Sequence, residues 1–87
     1  MIVNVTEKHI GYGIQKSCTQ CPIALAIKEA FGCYSVNVFG NCILVRMMLS
    51  SRTYYYIPQE CFDFMCDFDA GRPVKPFSFE LVEINNE

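Results

Sequence analysis

Apolar residues recur along this chain with two different periods, and the switches between them divide it into elements. Ile2-Val3-Asn4-Val5 reads as a short strand. Thr6 then stands where a helix N-cap belongs, with Val5 and Ile10 placed for a hydrophobic staple across it, and Gly11 and Gly13 bring that helix to an end near Gly13. After a polar connection at Gln15-Lys16-Ser17, the pattern predicts a second helix over Pro22–Phe31. Proline suits its first position and Gly32 its left-handed C-terminal cap, while Ile23, Ile27, Ala30 and Phe31 form one stripe. Lys28 and Glu29 mark its wet side.

Three runs rich in β-branched and aromatic residues follow: Tyr34–Phe39, Cys42–Leu49 and Arg52–Ile57. Gly40-Asn41 suits a two-residue turn of the kind that takes glycine first, and Ser50-Ser51 offers a second turn, so an antiparallel meander is expected. In its middle strand Ile43, Val45, Met47 and Leu49 share one face. Cys42, Leu44, Arg46 and Met48 share the other, which is apolar enough to call for cover or an interface. Pro58 opens a third helix running to Ala70 and capped by Gly71. Cys61, Met65 and Phe68 point inward beside Phe64, and Glu60, Asp63 and Asp67 lie on the opposite face. Beyond the rigid Arg72-Pro73-Val74-Lys75-Pro76 turn, Phe77, Phe79 and Leu81 alternate as a last strand. The sum is one small α+β domain over residues 1–87, in the order βα-α-βββ-α-β, with the helices packed on one face of an antiparallel meander.

Composition adds a constraint on surface. Of the 87 residues 52% are hydrophobic and only 18% charged, so disorder is excluded, yet a chain this short has room for one core. Part of the apolar surface is left outside it, which points to a homodimer, a partner or a ligand cleft. The formal net charge is −2 with no basic run, which disfavours nucleic acid as a partner. No stretch reaches the roughly 18 apolar residues of a membrane span and no signal peptide is evident, so the expected compartment is the cytoplasm.

Candidate chemistry centres on six cysteines and the one histidine. Without a secretory signal, most thiols are read as reduced and buried. Cys18-Thr19-Gln20-Cys21-Pro22 sets a cysteine pair just before a helix, where the dipole and free N–H groups stabilise a thiolate, so a thiol-redox role for Cys18 and Cys21 is one alternative. Zinc held by Cys18, Cys21, His9 and one further cysteine is another, although a second close pair is missing. His9 itself is expected at the surface or half-buried. One histidine, no serine in a nucleophile-elbow setting, no Gly-rich phosphate loop and no spaced carboxylate pair argue against an enzyme, and no cofactor is expected. Tyr54, Tyr56 and Arg46 can stack on a partner or a flat ligand, and Arg72 in its proline-bounded turn is the best exposed anion or partner contact.

The pattern Val5-Thr6, His9-Ile10, Gly13, Cys18 and Cys21-Pro22 with Ala24 and Ala26 is followed by the more specific ending Phe68-Asp69-Ala70-Gly71, Pro73-Val74, Pro76-Phe77, Phe79 and Leu81. With these residues the chain resembles a family of short proteins found in bacteriophages and some bacteria. The resemblance runs over nearly the whole chain. It implies a phage or mobile-element setting and carries over no functional residue. The function expected in that setting is an accessory binding protein that works as a homo-oligomer and modulates a host or defence component through protein–protein contact. The alternatives are a protein that sequesters a small nucleotide-like ligand and the zinc or thiol-redox module.

Overall fold

The computed structural model describes residues 1–84. Its elements run β1 (Ile2–Val5), α1 (Glu7–Tyr12), α2 (Pro22–Phe31), β2 (Ser35–Val38), β3 (Ile43–Arg46), β4 (Thr53–Tyr55), α3 (Gln59–Asp69) and β5 (Phe77–Glu80). The class is α+β and the order is the expected one.

Local chemistry explains the helix limits. Cys21 is the N-cap of α2, its Sγ accepting the Ala24 N–H at 3.4 Å, and Pro22 takes the first turn where no N–H is needed. Gly32 ends the helix at φ 61°, donating its N–H to the Lys28 carbonyl at 2.8 Å. In α1 the cap is built differently. The Thr6 N–H donates to His9 Nδ1 at 3.0 Å, so the imidazole does the work a Glu or Gln does in a capping box. Gly13 follows because a Cβ there would sit 2.5 Å from Pro22 Cγ, so only a glycine lets the end of α1 approach the start of α2.

β1 pairs antiparallel with β5, Val3 opposite Phe79 and Val5 opposite Phe77. β2, β3 and β4 form the predicted meander, with Val36 opposite Val45 and Val38 opposite Ile43 on one hairpin, and Ile43 opposite Tyr55 on the next. The two sheets are joined by the chain itself. Leu81 still donates to the Met1 carbonyl, but the Val82 carbonyl accepts from Tyr56 at 2.9 Å and Ile84 donates to the Tyr54 carbonyl at 2.8 Å, with Tyr55 and Glu83 bridged. One extended segment thus serves β1 with its first half and β4 with its second. The strands form two antiparallel sheets, β1-β5 and β2-β3-β4, linked by the isolated Tyr55–Glu83 bridge.

The core fills one side of this arrangement. Val3, Val5, Val36, Val38, Ile43, Val45, Phe79 and Leu81 from the strands meet Ile23, Ala24, Ala26 and Ile27 of α2 and Cys61 and Phe64 of α3. Phe64 packs against Phe77 at 4.8 Å between ring centres. Helices on one face is therefore the observed layout.

Several boundaries differ from the sequence reading. β3 stops at Arg46, because the Ser51 hydroxyl accepts the N–H groups of Met47 and Met48 at 3.0 Å each and donates to the Met48 carbonyl, closing a local turn that takes Met47–Leu49 out of the sheet. β4 is correspondingly reduced to Thr53–Tyr55. Gly40-Asn41 does connect a hairpin, but neither residue has a positive φ, so the turn is not the glycine-first type. Pro58 is the N-cap of α3 and not its first helical residue, and Ala70 is the C-cap with Gly71 left-handed just beyond it. On α2 the stripe is shifted: Ala24 and Ala26 are buried and Ala30 is exposed. On α3 the buried pair is Cys61 and Phe64, with Met65 and Phe68 only half-buried.

Candidate binding surface

The meander has two faces, and register assigns residues to each. Val36, Val38, Ile43, Val45 and Tyr55 point into the core. The alternate positions form the outer face, in rows that cross the strands: Asn37, Leu44, Tyr54 and Ile84 in one, Phe39, Cys42, Tyr56 and Val82 in the next. Arg46, opposite Ser35, stands at the far end. Phe39, Tyr56 and Val82 are exposed at 40%, 54% and 49%. Leu44 is buried at 6% exposure but lies outside the core cluster. Beyond Arg46 the turn presents Met47, Met48 and Leu49, all exposed, and Tyr34 lies beside it through its N–H to the Arg46 carbonyl. The helices bury their residues on the opposite side, so this aromatic and aliphatic face is left to solvent.

Of the predicted contact residues, Arg46, Tyr54 and Tyr56 are therefore brought together. Tyr55 between them is the core member, its ring 6.1 Å from Phe31, and burial pushes its phenol pKa up. Arg72 is not with them. Its Nε donates to Asp67 Oδ1 at 2.8 Å and its N–H to the Asp67 carbonyl at 2.9 Å, so it ties off the end of α3, and an anion would have to compete with that carboxylate.

The cysteine pair is split by burial. Cys21 is buried, and loss of water around it raises its thiol pKa despite the Ala24 and Ile23 N–H groups that favour the thiolate. Cys18 is exposed, its Sγ donating to Asn37 Oδ1 at 3.7 Å, and its carbonyl accepts the Val38 N–H at 2.7 Å on the edge of β2. Helix-start activation is thus outweighed at Cys21 by desolvation. All six thiols are free, and only Cys21, Cys33 and Cys61 are fully buried, fewer than the sequence reading expected. Burial drives Cys61 up to about 12. A cleft of about 160 Å³ lies between this loop and α3, lined by Lys16, Cys18, Cys21, Met65 and Asp69.

His9 is 4% exposed, a correction to the surface position expected for it. With Nδ1 accepting the Thr6 N–H, the ring hydrogen is on Nε2 and goes to Glu29 Oε1 at 3.0 Å; Lys8 Nζ holds the other oxygen at 2.8 Å. The Lys8 hydrogen bond, then that of His9, keeps the Glu29 carboxyl below the usual range. These partners use the imidazole to pin α1 on α2. Among the described residues no three His, Cys, Asp or Glu side chains converge as a metal site, so Cys18, Cys21 and His9 are not assembled as zinc ligands.

Sequence reasoning missed Phe39, Val82 and Ile84 as members of the outer face. A signal for the last two exists: the apolar phase moves from the odd positions Phe77, Phe79 and Leu81 to the even positions Val82 and Ile84, which is how a strand reads when it passes from one neighbour to another. Comparison with family models, curated proteins and solved structures gives no match for this chain.

Proposed function

We propose that this chain is a small binding protein that acts by protein–protein contact through the outer face of the meander. The observation that carries this reading is the pair of rows in which Phe39, Tyr56 and Val82 lie open beside Leu44, Tyr54 and Ile84, with Arg46 at the margin. Aromatic residues with an arginine at the edge are the composition of interface hot spots, and the adjacent methionines add a side-chain surface that can adapt to its partner. No helix among the described residues is long and apolar enough to cross a membrane, which fits an aqueous partner. The resemblance to short phage proteins makes a host or defence component the partner class to test first.

The test is affinity capture from host lysate with the wild-type chain and with a Tyr56→Glu, Val82→Glu variant side by side. A prey retained by the wild type and lost by the variant, with circular dichroism unchanged, supports the reading. A prey retained equally by both, or none in any host, counts against it.

A further inference from the structure

The β2 edge of the three-stranded sheet and the β1 edge of the two-stranded one are not equally protected. At β2 the pairing position of the Val38 N–H is filled by the Cys18 carbonyl at 2.7 Å, so the 14–20 loop lies across that edge. At β1 the situation differs. The Leu81 N–H bond to the Met1 carbonyl fixes the phase of the β1–β5 ladder, so Val3 and Val5 direct their backbone groups at β5, and Ile2 and Asn4 direct theirs away from it. Among the described residues, no backbone or side-chain group hydrogen bonds to the N–H or C=O of Ile2 or Asn4. Four such groups buried without partners would be costly, so they face water. The strand Ile2-Val3-Asn4-Val5 also has no charge, no proline and no bulge, the devices by which a free edge is normally kept from pairing.

We propose that this edge pairs with β1 of a second copy of the chain, antiparallel about a two-fold axis at Val3. The outward groups are self-complementary in that register. Ile2 meets Asn4 of the other copy and Asn4 meets Ile2, giving four hydrogen bonds, while Val3 lies against Val3 on the core side and no like charges oppose each other. A two-fold axis normal to the sheet keeps the same face upward in both copies. The pairing therefore yields a continuous four-stranded sheet in the order β5, β1, β1, β5. Four hydrogen bonds and a few side-chain pairs bury less than the roughly 1,200 Å² of stable complexes, so the dimer is a weak one that dissociates on dilution.

A dilution series by sedimentation or light scattering, with residue-resolved amide exchange on the same samples, tests this. The expected result is a mass rising from 9.9 kDa toward twice that value, with the Ile2 and Asn4 amides slowing in step. Asn4→Pro removes only an outward N–H and should abolish the mass rise. If that variant folds poorly, Ile2→Lys with Asn4→Lys, both at exposed positions, sets lysine against lysine across the axis and should do the same. A mass of 9.9 kDa at every concentration overturns the proposal, as does a dimer that survives these edge variants. Tyr56→Ser should leave the mass curve unchanged; loss of the dimer in that variant alone would put self-association on the outer face instead. Failure to find a host partner for that face leaves this result untouched.

Discussion

Gly13 shows how a single position can be fixed by proximity alone. Its φ of −67° suits any residue, but its missing side chain leaves the room that the Pro22 ring takes. Gly13→Ala forces either the ring or the α1 terminus to move and should cost about 1–3 kcal/mol in denaturant unfolding. The thiols separate at the same scale. At neutral pH, a brief exposure to iodoacetamide should alkylate Cys18 and Cys66, which are exposed, and spare Cys21, Cys33 and Cys61, which are buried with raised pKa values. Peptide mapping reads this directly. Labelling of Cys21 ahead of Cys18 would revive the activated-thiol reading.

At the scale of elements, α1 is too short to stand without help, and its attachment to α2 runs through Glu29. Because Glu29 is held below its ordinary carboxyl pKa in the folded state, its contribution is present above the unfolded value and is lost as pH falls through the folded one. Glu29→Gln should lower stability at neutral pH and flatten the acid limb of the pH–stability curve, the two proteins converging once both are below the carboxylate range. The carboxylate is exposed to solvent, so the effect is modest and weakens with added salt. A mutant curve parallel to that of the wild type at every pH would show that the tie contributes nothing.

For the whole molecule, the decisive feature is the segment that leaves β1 at Leu81 and joins β4 at Val82. It ties the two-stranded sheet to the three-stranded one, and an isolated two-stranded piece is only marginally stable. Ile84→Pro deletes the N–H that Tyr54 accepts. The expected cost is about 1 kcal/mol, with faster exchange at the Tyr56 amide and little change in β3. Unchanged exchange at Tyr56 would mean that the junction does not hold β4 in solution.

Local chemistry was enough to set the limits of α2. Pro22 and Gly32 bound α2 because a missing N–H and a left-handed φ each have one natural place in a helix, and the alternation in Val36–Val45 set the meander because side chains in a strand change face at every step. The same alternation set Cys42, Leu44, Arg46 and Met48 on a face that called for cover or an interface, and all but Met48 lie on it. Tertiary structure alone decided the rest. Burial made Cys21 a poor thiolate in a position where the helix start favours a good one, and Asp67 engaged the Arg72 guanidinium. Ser51 drew Met47–Leu49 out of β3, and the change of neighbour at Leu81 brought Val82 and Ile84 to the outer face. Each of these depends on which distant residue, or how much water, stands next to a group, and the pattern along a chain does not carry that information.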